Sequence, residues 1–368
     1  MKFAFWGPTT KPPEGLTHIE SYRYQLDEIA VAEDYGFDHY WLFEHHISPS
    51  SPSPSPNLMI AAAARLTRRI RLGTLVNILP YRHPLLVAEE MAMLDNLTEG
   101  RVDCGIGRGL KPYEFRAFGQ DQEVSREVFT ECLEVVRKVW ADENFSHKGK
   151  YYTCEKNTPL SPPLVQKPHP PLYVSAQSPE SIRWAASQDI PFGQIDALVE
   201  ESKKDQKVYR ELQRAHGFAP VPRLFVTRDV YVAATDEEAR REAKPYLIRN
   251  WDLWNRYSQF TRQGQMPDSY DLWRKRAPML YALTYEEIID HGLILVGTPD
   301  TVIRTILDQQ SELDIAMMVL GFRFGSMPYD IARRSMHLFA TEVMPELRRR
   351  EAAAAAAPTV ARAAVPSV

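Results

Sequence analysis

A glutamate and two histidines, Glu44, His45 and His46, come directly after the apolar run His39–Phe43. Because imidazole titrates near neutral pH, one of these histidines could act as a general base or stabilise a charge. Adjacent residues of a strand point to opposite sides, so His45 and His46 cannot both face one site. A metal site would need a further ligand, and no HxH, HExxH or CxxC spacing accompanies the cluster. The alternative is a polar strand end whose histidines satisfy backbone groups.

Three further groups have side chains that suit an anion. The segment GIGRG at residues 105–109 combines glycines, which allow close backbone approach, with the forked donor of Arg108. The dinucleotide fingerprint GxGxxG is not matched, so a tight strand-to-helix turn explains these glycines equally well. Arg126 and the segment SPES at residues 178–181 both stand at predicted helix starts, where anions are favoured. SPES is also an ordinary helix N-cap sequence.

Eight β-rich runs alternate with helical patterns along the chain. Strands are predicted at Lys2–Trp6, His39–Phe43, Ile70–Val76, Arg101–Ile106, Leu172–Ala176, Ile190–Ile195, Leu224–Ala233 and Ala316–Leu320. This alternation predicts an α/β fold with a parallel sheet, and eight units are the count of a closed (β/α)₈ barrel of the TIM type. An open doubly wound sheet would give the same alternation. In a barrel, reactive groups lie at the carboxyl ends of the strands, where the two histidines stand.

Residues 1–350 are predicted to form one barrel domain with an insertion late in the barrel. Residues 234–292 are too long for an ordinary connection, and they are rich in aromatic side chains, which argues against a disordered linker. We expect part of this insertion, near Trp251–Phe260 or Tyr270–Trp273, to act as a lid. Residues 351–368 form a low-complexity tail, which we expect to be mobile.

The composition argues against several classes of protein. With 44 Lys and Arg against 48 Asp and Glu, the net charge is −4, which gives no electrostatic reason to expect a nucleic-acid partner. No apolar run approaches about 18 residues, and the start of the chain lacks a secretory signal, so neither a membrane span nor export is expected. The three cysteines, Cys104, Cys132 and Cys154, fit neither a disulfide framework nor a metal site. We therefore expect a cytoplasmic protein without a metal.

Several stretches together resemble the luciferase-like flavin-dependent monooxygenases. The strongest are WLFEHH at residues 41–46, RLGTLVNILPYRHP at 71–84 and the block at 94–126 that contains GIGRG. SAQSPESIRWAA at 175–186 and the ending that starts with LVGTPDTV at 295–302 are similar as well. The resemblance covers almost the whole barrel. It implies a closed (β/α)₈ barrel that binds FMN at its C-terminal end.

The resemblance also implies roles for single residues. His45 matches the family's catalytic histidine. The positions that match the cofactor-binding residues are Thr74, Leu75, Val76, Arg108, Arg126, Gln177, Ser178 and Ser181. The first three match the strand end beside the isoalloxazine ring, with a non-proline cis peptide expected at Leu75–Val76, and the other five match the phosphate shell. Bacterial luciferases have an acidic residue in place of Gln177, a reactive cysteine in place of Gly107 and an aromatic residue in place of Lys111.

The chemistry that the resemblance implies is two-component monooxygenation. A separate NAD(P)H:flavin reductase would supply reduced FMN, which would react with dioxygen to a flavin hydroperoxide and oxygenate a small organic substrate. Members of the family are usually dimeric through helices after the early strands, and the apolar run Leu85–Leu97 is compatible with a homodimer. The alternatives are a deazaflavin-dependent oxidoreductase of the same fold, a non-catalytic flavin-binding protein and, least favoured, a metal-dependent hydrolase using Glu44, His45 and His46.

Overall fold

Eight parallel strands close into a barrel in the computed structural model of the chain, which describes residues 1–7, 15–48, 51–156, 158–258 and 267–356. The strands are β1 (Lys2–Trp6), β2 (His39–Leu42), β3 (Arg71–Thr74), β4 (Asn77–Ile78), β5 (Val102–Gly107), β6 (Phe145–Lys148), β7 (Thr153–Lys156), β8 (Leu172–Ser175), β9 (Phe192–Gln194), β10 (Leu224–Val232), β11 (Ile294–Gly297) and β12 (Ile315–Gly321). Around the barrel the order is β1, β2, β3, β5, β8, β9, β10 and β12, and β12 pairs with β1. These eight are the strands predicted from the sequence, so the closed barrel is confirmed.

The remaining strands extend this barrel or lie outside it. A cis peptide bond joins Leu75 to Val76, as predicted, and the short β4 that follows pairs with the end of β5. β11 pairs with the second half of β10, and β6 and β7 form an antiparallel hairpin. The sequence analysis predicted neither β11 nor the hairpin.

Helices connect the successive strands. They are α1 (His18–Asp34), α2 (Pro56–Ala64), α3 (Pro84–Leu97), α4 (Pro112–Ala117), α5 (Ser125–Ala141), α6 (Pro179–Ser187), α7 (Val199–Ala215), α8 (Asp236–Ser258), α9 (Asp271–Tyr281), α10 (Tyr285–Asp290), α11 (Pro299–Glu312), α12 (Tyr329–Leu338) and α13 (Met344–Ala356). Four of them begin with a proline directly after a Ser, Thr or His whose side chain caps the first turn, the arrangement that suits an N-terminus best. Among the described helices, none combines the length and apolar character that a membrane crossing requires.

Trp41 of β2 fills the interior of the barrel below the carboxyl ends of the strands. Its ring is fully buried and stacks on Phe225 of β10 with 6.3 Å between the ring centroids. Gly73 of β3 leaves room for the ring, because a Cβ atom at that position would lie 2.2 Å from it. Truncating such a buried aromatic side chain costs about 3–5 kcal/mol of stability. The interior around Trp41 is therefore a packed core.

The predicted insertion consists mainly of α8, α9 and α10, and it packs against the barrel. Leu247 of α8, Leu280 of α9 and Ile288 of α10 share one buried cluster with Tyr231 of β10 and Phe324 after β12. Among the described aromatic residues of the insertion, Trp251 packs against this cluster, and Tyr270 and Trp273 belong to a second one. Of the predicted tail, residues 351–356 continue α13, and residues 357–368 lie outside the described part of the chain.

Candidate active site

A cavity opens at the carboxyl ends of the barrel strands, where a (β/α)₈ fold gathers its loops. The segments after β2, β3, β5, β8 and β9 form one side of this cavity, and α8 and α9 of the insertion form the other. Of the predicted site residues, those that line the cavity are His45, Leu75, Val76, Arg108, Gln177, Ser178 and Ser181. Arg126 and Thr74 do not line it. The fold therefore brings seven of the nine predicted residues to one place.

His45 and His46 face different surroundings, as strand alternation predicts. The backbone N–H of His45 donates to the Ser53 carbonyl oxygen at 2.9 Å, which fixes the chain where it leaves β2. The His45 ring borders the cavity and meets the ring of Trp254 edge-on, with 5.5 Å between centroids. His46 Nε2 lies 2.9 Å from Glu44 Oε1, outside the cavity lining. The three side chains of the Glu-His-His motif consequently do not converge as metal ligands would.

Glu114 of α4 links His45 to Lys111. Its side chain is 1% exposed, and Oε1 lies 3.5 Å from His45 Nδ1 and 3.7 Å from Lys111 Nζ. These distances describe electrostatic contacts rather than well-formed hydrogen bonds. The same oxygen accepts a hydrogen bond of 3.1 Å from the backbone N–H of His46. Sequence analysis missed Glu114, although its spacing of three from Lys111 at a helix start does place the two side chains together.

Burial and nearby charges set the protonation states of His45, Lys111 and Glu114. Burial, followed by the charge of Lys111, holds the pKa of His45 below its usual 6.5, against the opposing pull of Glu114. Burial lowers the pKa of Lys111 to about 8. Burial alone would raise the pKa of Glu114, but His45 and Lys111 outweigh it and keep that pKa below its usual value. At neutral pH the group therefore holds a neutral imidazole, a carboxylate and an ammonium.

The glycines of the GIGRG segment make room for the neighbouring strand. A Cβ atom at Gly105 would lie 1.8 Å from the Thr74 carbonyl oxygen, and one at Gly107 would lie 2.2 Å from a methyl carbon of Val76. The absence of side chains at these glycines lets β5 lie close to the segment after β3. This packing places Leu75 and Val76 at the cavity. The Thr74 hydroxyl donates to the Gly105 carbonyl oxygen at 2.7 Å, so this side chain faces the strand pair.

The predicted phosphate residues gather around the start of α6. Ser178 caps this helix: its Oγ accepts from the Ser181 N–H at 3.3 Å and donates to Ser181 Oγ at 3.0 Å. Arg126 lies behind Ser178 and donates to its Oγ at 3.5 Å. The guanidinium of Arg108 lies 4.0 Å from the ring centroid of Tyr270. Arg108 on the lining, Arg126 behind Ser178, two hydroxyls and a helix N-terminus together form a donor set that suits a dianion.

The insertion contributes polar contacts as well as aromatic surface. Its aromatic lining residues are Trp251, Trp254, Tyr270, Trp273 and Tyr281. The Tyr270 hydroxyl donates to the Gly109 carbonyl oxygen at 3.0 Å, and Arg276 of α9 donates to Gln177 Oε1 and to the Asp196 carbonyl oxygen. Phe260, one of the predicted lid residues, lies outside the described residues. Sequence analysis did not predict that Tyr270 and Arg276 would contact the proposed phosphate residues.

Two carboxyl groups on the lining were also missed. Asp196 follows β9, and Asp229 lies within β10. Both residues are half-buried at the cavity, and their removal from water raises the pKa of each carboxyl group. Asp196 stands just after the predicted strand Ile190–Ile195, a signal that the sequence does contain, whereas Asp229 lies inside a predicted strand, and neither stands in a stretch that resembles a known motif.

The comparisons with known proteins agree with this architecture. The family model described as luciferase-like monooxygenase matches residues 1–313. The chain belongs to this family. Monooxygenase RslO1 from Streptomyces bottropensis, a solved structure, is 30% identical with a TM-score of 0.80, covering 94% of this chain and 100% of its own.

Two curated members of the luciferase-like family indicate the chemistry of relatives. The alkanal monooxygenase alpha chain of the Kryptophanaron alfredi symbiont is 26% identical over 359 residues, which are 95% of this chain and 99% of that protein. The oxygenase component of the flavin-dependent trigonelline monooxygenase of Acinetobacter baylyi is 27% identical over 251 residues, 65% of this chain and 67% of that protein. The predicted membership of the luciferase-like family is confirmed, and so is the assignment of the chain to the general class of luciferase-like monooxygenases.

Proposed function

We propose that the protein is the oxygenase component of a two-component monooxygenase that uses reduced FMN and dioxygen to oxygenate a small organic substrate. The observation that carries this proposal is the composition of one cavity, where a phosphate-binding donor set, an apolar strand end and a histidine occur together. The relative from Acinetobacter, whose name describes an oxygenase component, supports the two-component arrangement.

The residues at the start of α6 fit the phosphate of FMN. Arg108 and Arg126 each provide a charged donor, and the first N–H groups of α6 carry the partial positive charge of a helix N-terminus. Ser178 and Ser181 would accept or donate hydrogen bonds according to the protonation of the phosphate. Gln177, held by Arg276, completes this proposed shell. We assign the phosphate of FMN to these five residues, and Thr74 contributes only through its place in the strand pair.

The other predicted residues fit the flavin ring and its chemistry. Leu75 and Val76 offer an apolar surface against which a flat ring can pack, and the aromatic layer of the insertion would act as a lid that excludes water. When bound, reduced FMN supplies the two electrons with which one atom of dioxygen enters the substrate and the other leaves as water. His45 would hold or move the proton that this reaction requires. Because the Glu114 carboxylate faces Nδ1, it favours a proton on that nitrogen and leaves Nε2 as the base.

The partners follow from the same proposal. The chain has no dinucleotide fingerprint, so an NAD(P)H:flavin reductase would deliver the electrons as free reduced FMN. A homodimer would form through the surface of α2 and α3, where Leu58, Leu86 and Met93 are exposed. The cytoplasm remains the predicted location.

The test measures binding and turnover separately. Purified protein is titrated with FMN, riboflavin and coenzyme F420, and oxygen uptake is followed with reduced FMN and a panel of small organic compounds. We expect FMN to bind more tightly than riboflavin and oxygen uptake to be coupled to product. Preferential binding of F420 with hydride transfer would instead support the deazaflavin-dependent alternative. FMN binding without coupled turnover of any compound would support a non-catalytic flavin-binding protein.

A further inference from the structure

Lys111 places a buried ammonium group on the lining of the cavity, beside Glu114 and aromatic side chains. It precedes α4, lines the cavity, and its side chain is only 2% exposed. The nearest carboxylate oxygen, on Glu114, is 3.7 Å from Nζ, which is longer than a hydrogen bond. Its other close neighbours are ring faces, Trp254 with the centroid at 4.8 Å and Tyr113 at 5.9 Å. Among the described residues, its ion pair with Glu114 is therefore long, which leaves its donors only loosely satisfied.

Glu114 is already committed to other donors. Its Oε1 atom accepts from the His46 backbone N–H at 3.1 Å, receives the Tyr113 hydroxyl at 3.5 Å and faces His45 Nδ1 at 3.5 Å. A closer approach to Lys111 would weaken these contacts. The carboxylate thus balances the charge of Lys111 through a long contact. A buried ammonium in this condition is stabilised when a ligand supplies an oxygen acceptor.

The surface around Lys111 indicates what such a ligand would look like. Trp254 lies over the ammonium, and Trp251, Trp273 and Phe43 line the same cavity. Flat aromatic surfaces favour ring compounds, which can stack on them or meet them edge-on. Because Lys111 and His45 face the same carboxylate oxygen, an oxygen atom bound by Lys111 would lie beside the residue proposed to handle protons.

From this juxtaposition we infer that Lys111 is a substrate-recognition residue, which donates a hydrogen bond to the carboxylate or carbonyl oxygen of an aromatic or alicyclic ring compound. This inference rests on the proposed function only in taking the cavity as the substrate site. Carboxylates and ketones share the oxygen acceptor, and the experiment separates them.

The experiment uses the full chain without flavin and three probes of similar size: benzoate, acetophenone and ethylbenzene. Binding is followed by the fluorescence of the tryptophans that line the cavity. The variants are Lys111→Met, which keeps the length of the side chain but removes the donors, and Lys111→Arg, which keeps a charged donor. Lys138→Met on α5 is the matched control, because it removes an exposed lysine that pairs with Glu134. Thermal unfolding of each variant shows whether it folds.

We expect wild-type protein to bind benzoate or acetophenone more tightly than ethylbenzene. Lys111→Met should weaken the binding of the preferred oxygen-bearing probe by about tenfold or more, with little effect on the binding of ethylbenzene, as expected for loss of a charged donor. Lys111→Arg should recover part of the affinity, and Lys138→Met should change nothing. A preference for benzoate would identify a carboxylate, and a preference for acetophenone a carbonyl compound.

If Lys111→Met loses affinity equally for all three probes, or loses affinity for none of them, the inference is overturned. If that variant does not fold, the wild-type comparison decides: failure to prefer an oxygen-bearing probe over ethylbenzene, or no binding of any probe, also overturns it. Failure of FMN to bind in the separate titration would refute the proposed function and would leave this comparison unaffected.

Discussion

His45 is the residue at which the proposed chemistry can be tested most directly. It borders the cavity with one ring nitrogen directed to Glu114, the arrangement of a positioned base. We expect His45→Ala to lower the rate of oxygenation by about 10²–10⁴-fold, the usual contribution of an acid–base group, while FMN affinity changes little. Peroxide release without product should rise. His46→Ala is the control, because His46 does not line the cavity and its ring pairs with Glu44, so its loss should mainly affect stability. Normal, coupled turnover by His45→Ala would contradict the assignment.

The charges beside His45 make a prediction about pH. The pKa of His45 is held below 6.5, so the neutral base should persist at neutral pH, and kcat/KM should fall only as the pH drops below about 6.5. Lys111 lowers this pKa and Glu114 raises it. Lys111→Met should therefore move the acidic limb of the kcat/KM profile to higher pH, and Glu114→Gln should move it to lower pH. Shifts in the same direction, or none, would show that another group controls this limb.

Arg108 should distinguish FMN from riboflavin. A guanidinium hydrogen-bonded to a phosphate is worth about 1.5–3 kcal/mol, so Arg108→Ala should weaken FMN binding by about tenfold to a hundredfold. Riboflavin, which lacks the phosphate, should lose much less. Arg183→Ala is a matched control, because Arg183 lies on α6 with its side chain exposed to solvent. Equal losses for both flavins in titrations would place Arg108 against the ring or in the support of the fold.

At the scale of elements, the insertion should help to bind the cofactor. Tyr270 lies under the Arg108 guanidinium at 4.0 Å and donates its hydroxyl hydrogen to Gly109. A cation–π contact of this kind is worth about 0.5–2 kcal/mol, so Tyr270→Leu should weaken FMN binding by about 2-fold to 30-fold. Tyr270→Phe keeps the ring and should lose less. If the two variants weaken binding equally in FMN titrations, the hydroxyl rather than the ring supports Arg108.

The strands and helices that could be predicted are those in which the order of apolar residues marks the buried faces. Most of the barrel strands carry apolar runs, because the strands of a parallel barrel are covered on both faces. The hairpin of β6 and β7 was missed because Ser146, Lys148 and Glu155 alternate with buried or half-buried residues, which leaves no apolar run. Two residues near the start of α2 have side chains that can cap a helix, and the sequence does not distinguish them: Ser55 accepts from the Leu58 N–H, whereas the Asn57 amide donates to Glu90 at 2.6 Å.

The parts of the site that could not be predicted depend on distant segments. Single residues after β2, β5 and β8 could be placed because they stand at strand ends or match family motifs. The contact of Glu114 with His45 joins residues far apart in the chain, and no local pattern encodes it. The same is true of Arg276 and Gln177, which the insertion brings together over a separation of 99 residues. The hydrophobic periodicity of a segment shows which of its faces is buried. It does not show which distant segment that face will contact, and these pairs depend on such long-range contacts.

At the scale of the whole molecule, the N-terminus is tied to the last described helix. The N-terminal amine of Met1 lies 2.8 Å from the Glu351 carboxylate of α13, so the first strand and this helix hold each other in place. The barrel is thus closed by side-chain contacts as well as by the pairing of β1 with β12. Residues 351–356 belong to this closed structure and are helical, which is more order than the sequence composition suggested for them.

The last prediction concerns association of whole molecules. α2 packs beside α3, and four large apolar side chains on these helices are exposed: Leu58 (73%), Leu86 (56%), Met93 (56%) and Leu97 (40%). Leu86, Met93 and Leu97 share one face of α3, as their spacing requires. An apolar patch of this kind is typical of an interface, so we expect a homodimer through α2 and α3. Replacing Leu86 and Met93 together by lysine should give a monomer in sedimentation velocity experiments with the barrel still folded. Val221→Lys, which changes an exposed apolar residue before β10, should leave the dimer intact. A wild-type protein that sediments as a monomer at micromolar concentration would contradict the expectation.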